Sequence, residues 1–233
     1  MSSLAARKLK FQAGDKAGEV SALLLRPDNA RCLLVLAHGA GGGMRHKFME
    51  EISQKLASRS IATLRYQFPY MEKGSKAPDS EGTLTETVRA ADAASKKNAG
   101  DLPLFAGGKS MGGRMTSLAA AKAPLDGVRD LVFFGFPLHA AGRPSAERGK
   151  HLADVAVPML FLQGSRDTLA DLKLLKPLCN RLGKRAELFV FDGGDHSFHM
   201  LKNSGRNDDE VMEGVAETTE SWILRSGASG VAM

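Results

Sequence analysis

The stretch Leu104-Phe105-Ala106-Gly107-Gly108-Lys109-Ser110-Met111-Gly112-Gly113 limits what this chain can fold into more than any other. It reads as a buried strand that ends on a serine framed by glycines and passes straight into a helix. Such a turn forces the serine into a strained backbone conformation at the carboxyl end of the strand. Glycines stand on either side because a Cβ there would strike the neighbouring backbone. Ser110 is therefore a candidate nucleophile. G-x-S-x-G alone is a short pattern, so its setting has to support it. Here an apolar strand leads in, and the alanine-rich helical run from Met115 to Ala123 leads out.

The rest of the chain alternates strand and helix patterns around this element. Lys8–Gln12 and Ser21–Arg26 predict an antiparallel start, joined by the turn-rich residues Ala13–Gly18. Cys32–Ala37 is apolar on both faces, as a central parallel strand covered by helices requires, and it runs into His38-Gly39-Ala40-Gly41-Gly42-Gly43. Phe48, Ile52 and Leu56 recur at helical spacing, and Ile61–Leu64 gives the next strand. Arg65–Met71 reads as a loop, and Thr83 with Glu86 reads as a capping box opening a helix through Leu84, Val88 and Ala91. Asp130–Phe136, Pro158–Gln163 and Ala186–Phe191 are further strands. The helix through Leu172, Leu175, Leu178 and Leu182 precedes the last strand, and one through Val211, Val215, Thr218 and Trp222 closes the chain before a small-residue tail expected to fray. This pattern predicts one α/β domain over residues 1–233. Its core would be a mostly parallel sheet of about seven to eight strands with helices on both faces.

Composition narrows the class. The formal net charge is +6, but the basic residues are scattered and no helix carries an unbroken basic stripe, so no nucleic-acid partner is expected. The start, Met1 to Lys8, has no apolar run fit for a signal peptide or a membrane span, which predicts a cytoplasmic protein without a membrane partner. Cys32 and Cys179 lack C-x-x-C spacing and read as reduced core thiols. His46, His139 and His151 stand in no metal-ligand arrangement, so neither a metal nor a cofactor is expected.

In an open parallel sheet the functional groups gather at the carboxyl ends of strands. Four such ends carry His38-Gly39-Ala40-Gly41, Ser110, Asp167 and His196, and the order serine, aspartate, histidine is that of an α/β-hydrolase triad. Over nearly its whole length the chain resembles the α/β-hydrolase superfamily. The motifs Gly39–Gly42, Gly107–Arg114, Gln163–Asp167 and Gly194–Phe198 resemble a family of small bacterial hydrolases. The animal relatives of that family include a histone-acetyltransferase-complex subunit and a testis-expressed protein. The chain is also similar to dienelactone hydrolases in size and order, although those carry a cysteine where position 110 is serine.

That chemistry assigns expected roles. His196 takes the Ser110 proton, and Asp167 fixes the imidazole. The backbone amides of Met111 and Ala40 form the oxyanion hole. The implied function is a serine hydrolase acting on small or medium carboxylic esters or thioesters through an acyl-serine, with a non-catalytic interaction module as the alternative. Fewer than about two dozen residues separate the strand ending near Phe136 from the next, too few for a large cap domain. Several residues admit two readings. Tyr66, Phe68 and Tyr70 either wall a substrate pocket or pack in the core. Lys109 and Arg114 either meet an anionic substrate or form structural ion pairs. His199 competes with His196. Asp195 reads as a loop-stabilising carboxylate, His38 as a brace for the oxyanion loop, and Asp167 alone could cap a helix starting near Thr168.

Overall fold

A computed structural model describes residues 4–15 and 17–229. It contains an eight-stranded sheet in the order β1-β2-β4-β3-β5-β6-β7-β8. The strands are β1 (Arg7–Gln12), β2 (Glu19–Leu25), β3 (Cys32–Ala37), β4 (Ile61–Tyr66), β5 (Leu104–Lys109), β6 (Val128–Phe134), β7 (Met159–Gly164) and β8 (Ala186–Phe191). β1 pairs antiparallel with β2, and β2 with β4; every other pairing is parallel. The expected mostly parallel sheet with an antiparallel start is therefore present. Of the turn Ala13–Gly18, Lys16 lies outside the described residues, as do residues 230–233 of the tail expected to fray.

Strand periodicity explains the layering. Leu33, Val35 and Ala37 of β3 point into one core, with the buried faces of α3 (Glu81–Ala99), α4 (Met111–Lys122) and α5 (Leu172–Leu182). Cys32, Leu34 and Leu36 point the other way, to α1 (Lys47–Ala57) and α6 (Asp208–Ser229). A side-chain period of two thus commits an all-apolar strand to two cores at once. Both cysteines are buried free thiols, and burial pushes Cys32 up to about 12 and Cys179 up to about 11.

Local structure departs from expectation in places, each with a physical cause. The helix α3 starts two residues before Thr83: Ser80 is its cap and accepts from the Thr83 amide at 3.2 Å, so the Thr83/Glu86 capping box does not form. β4 runs on to Tyr66, and the expected loop after it folds into a short helix α2 (Pro69–Glu72) with Pro69 at its first position. β6 stops at Phe134 because Gly135 takes φ +69°. The connection from β6 to β7 carries only a short 3-10 helix, Glu147–Asp154, which packs against α4 and α5, and no large cap domain is evident. Among the described residues, no helix is long and apolar enough to cross a membrane.

Candidate active site

The elbow forms as its glycines require. Ser110 sits between β5 and α4 at φ +52° and ψ −120°, a conformation that costs a non-glycine residue about 1–3 kcal/mol. A Cβ on Gly108 or on Gly112 would lie 2.3 Å from the Ala37 carbonyl oxygen, so only glycine lets β3 approach the turn this closely. The strain is held by hydrogen bonds on both sides of the turn: the Ser110 amide donates to Phe134 O at 3.1 Å, and the Arg114 amide to Ser110 O at 3.1 Å.

Two loops from neighbouring strands bring the other groups to it. His196, after β8, places Nε2 2.8 Å from Ser110 Oγ and Nδ1 2.6 Å from Asp167 Oδ2. An ionised carboxylate only accepts, so Nδ1 carries the proton and Nε2 presents its lone pair to the serine hydroxyl. Asp167, after β7, has a fully buried side chain, whereas that of His196 is 22 % exposed. The Asp167 carboxylate also accepts from the Leu169 amide at 2.8 Å and from Gln163 Nε2. Gln163 in turn accepts from the Phe136 amide at 2.9 Å. The helix α5 is capped by Asp171, not Asp167, which leaves the latter to the histidine. His196 and not His199 meets Ser110; His199 lies at the surface with Nδ1 2.7 Å from Asp208. Asp195 ties its own loop by accepting from the amides of Ser197 at 2.7 Å and His199 at 2.9 Å.

The glycine loop after β3 lies over the elbow. The Gly41 amide donates to Tyr70 Oη at 3.1 Å and the Gly42 amide to Gly39 O at 3.3 Å. His38 braces the loop from beneath: Nδ1 donates to Gly39 O at 2.7 Å, and Nε2 accepts from the Phe68 amide at 3.1 Å. Burial pushes this imidazole down to about 4, so it is neutral. Ala40 lies exposed in the loop, and Met111 supplies the first amide of α4, where N–H groups have no carbonyl one turn back.

A cavity of about 310 Å³ opens beside Ser110, with Met49 and Leu169 as apolar walls and His46 and Ser197 at its edge. A second cavity of about 550 Å³, reaching His199 and Asp208, shares those two edge residues. Tyr66, Phe68 and Tyr70 do not line the first cavity and stand as a correction to the pocket-wall reading. All three are buried in the core on the α3 side of the sheet, 1 %, 0 % and 2 % exposed, and Tyr70 bears on the site by holding the Gly41 amide. Met49 and Leu169 carried no chemical signal in the sequence; each comes to Ser110 through tertiary folding alone. Arg114 lies near Glu81, 3.8 Å from its carboxylate, and Lys109 is buried beneath the site.

The model of the alpha/beta hydrolase domain matches residues 30–224 of the 233. The chain belongs to the alpha/beta hydrolases. Solved structures agree on the fold of this hydrolase. A dienelactone hydrolase from Anabaena variabilis is 18 % identical with a TM-score of 0.74, over 96 % of this chain and 99 % of that one. An α/β serine hydrolase without a lid from Xanthomonas campestris is 19 % identical with a TM-score of 0.72, over 94 % and 95 %. Est1E from Butyrivibrio proteoclasticus, with ferulic acid bound, is 17 % identical with a TM-score of 0.69, over 90 % and 96 %.

Proposed function

We propose that this hydrolase cleaves small or medium carboxylic esters or thioesters through an acyl-serine intermediate. The carrying observation is the continuous hydrogen-bonded line from Ser110 Oγ through His196 to Asp167, at 2.8 and 2.6 Å. Ser110 Oγ attacks the substrate carbonyl carbon as its proton passes to His196 Nε2. Asp167, buried and fixed by the Leu169 amide and Gln163, stabilises the imidazolium. The amides of Met111 and Ala40 receive the oxyanion, Met111 at a helix N-terminus whose dipole favours negative charge. The imidazolium then protonates the leaving alkoxide or thiolate, the carbonyl reforms, and an ester joins Ser110 to the acyl group. Water deprotonated by His196 repeats the sequence and frees the acid.

The Ser110 cavity, apolar at Met49 and Leu169, suits a small acyl group, and its neighbour leaves room for the leaving group. That Est1E binds ferulic acid supports small acids and esters as the class to try first. Two buried free thiols fit a reducing compartment, the cytoplasm. The test is turnover of p-nitrophenyl acetate with acid quenching and intact mass. An acetyl adduct on wild type that is missing from Ser110→Ala supports the reading; steady turnover by Ser110→Ala contradicts it.

A further inference from the structure

Lys109 precedes the candidate nucleophile, yet its side chain turns into the protein. The residue is 7 % exposed, and Nζ donates to the main-chain carbonyl oxygen of His196. The ammonium lies 5.4 Å from the centroid of the Phe48 ring and 5.9 Å from that of Phe198. A Cβ added at Gly135 would fall 2.9 Å from Lys109 Nζ, 3.0 Å from His196 O and 3.3 Å from His196 Cε1, so ammonium and imidazole both close on the space that a side chain at Gly135 would need.

A buried ammonium is costly unless well paired. Among the described residues no carboxylate forms an ion pair with Lys109. Asp167 and Asp195 act on it only across a distance, and they raise its affinity for a proton. The remaining groups facing it are the His196 imidazole and the Phe48 and Phe198 rings. Burial outweighs the two carboxylates and pushes the lysine down to about 8. For stability alone, an apolar side chain of similar length would pack here at less cost. The carbonyl it holds belongs to the very residue whose ring must meet Ser110.

We infer that Lys109 is a positioning residue for the proposed acyl transfer: its ammonium fastens the main chain of His196 to the elbow and holds the imidazole in line with Ser110. The inference rests on the serine-hydrolase reading. Protonated, the lysine makes a charge-assisted hydrogen bond; neutral, it makes a weaker one. Activity then has an alkaline step set by Lys109 itself.

The experiment measures fluorophosphonate labelling rate and kcat/KM for p-nitrophenyl acetate from about pH 6 to about pH 10. It uses wild type, Lys109→Met and Lys109→Arg. In wild type the rate falls about fivefold to a lower plateau as pH passes through about 8, the size of exchanging a charge-assisted bond for a neutral one. Lys109→Met labels at least about tenfold more slowly at neutral pH, has no alkaline step, and keeps its KM within about twofold. Lys109→Arg recovers part of the rate and also lacks the step, because a guanidinium does not titrate in this range. A Lys109→Met protein with wild-type rate and profile overturns the inference while leaving the nucleophile intact. If that variant does not fold, a wild-type profile flat above neutrality overturns it equally. Wild type that takes no label at any pH contradicts the reading of Ser110 and brings the inference down with it.

Discussion

Gly164, the last residue of β7, lies so close to Asp195 that a Cβ on it would fall 2.3 Å from the Asp195 carbonyl oxygen. The loop carrying Asp167 and the loop carrying His196 are thus in backbone contact. Polar bonds sew the same seam: the Arg166 amide donates to Gly194 O at 2.8 Å, and the Gly193 amide to Ser165 Oγ at 2.8 Å.

Gly164→Ala must push these loops apart, because all three atoms in the way belong to the main chain: Asp195 O at 2.3 Å, and O and C of Gly194 at 2.4 and 2.7 Å. The expected cost is about 2–3 kcal/mol of stability, and about 100-fold in rate if the histidine moves by about 1 Å. Denaturant midpoint and fluorophosphonate labelling rate check both. A folded variant with wild-type rate would show that the contact does not set the geometry.

Gln163 joins Asp167 to the strand beside it, giving Nε2 to the carboxylate and taking the Phe136 amide. Gln163→Leu orphans a buried N–H and strips a donor from Asp167, at about 2–3 kcal/mol of stability and about tenfold in kcat/KM. Gln163→Glu is the sharper probe. The introduced acid repels Asp167 when ionised and donates to it when protonated, so the ratio of variant to wild-type activity rises as pH falls. A ratio independent of pH would contradict this placement of the amide.

The fold was largely legible in the amino-acid sequence, because β3 is apolar at every position, β5 and β7 carry no polar side chain before Lys109 and Gln163, and the elbow cannot form without its glycines. The order Ser110, Asp167, His196 was legible too, since each follows a strand. Gln163 was not, because an amide at the end of a strand has no periodic or motif signal. Nor was the fate of Tyr66, Phe68 and Tyr70, three aromatics in an apparent loop. What decides their burial is the core they share with Leu84, Val88 and Ala91 of α3, a tertiary fact. The Thr83 cap failed for a local reason: Ser80, three residues earlier, captures the Thr83 amide and starts the helix sooner.

His38 is held neutral, pushed down to about 4 against an ordinary 6.5. The unfolded chain therefore binds an extra proton between these values, so the contribution of His38 to stability is intact at pH 7 and is lost as pH falls from about 6.5 toward 4. Buried Asp92 and Asp130, both pushed up to about 6, act with the opposite sign in the same window, so the wild-type curve alone does not isolate the effect. The difference in unfolding free energy between wild type and His38→Asn does. It is expected to shrink by at most about 3 kcal/mol between pH 7 and pH 4. A constant difference would mean that His38 is not held neutral.

Acyl transfer by this chain requires Ser110 and His196 to stand as an assembled nucleophile and base in solution. The most direct measurement is labelling by a fluorophosphonate probe, read by intact mass and peptide mapping, on wild type, Ser110→Ala and His196→Ala. A single adduct on Ser110 is expected in wild type, none on Ser110→Ala, and labelling slowed by about 1,000-fold or more in His196→Ala. Folded wild-type protein that takes no label, or His196→Ala that labels at the wild-type rate, would contradict that assembly.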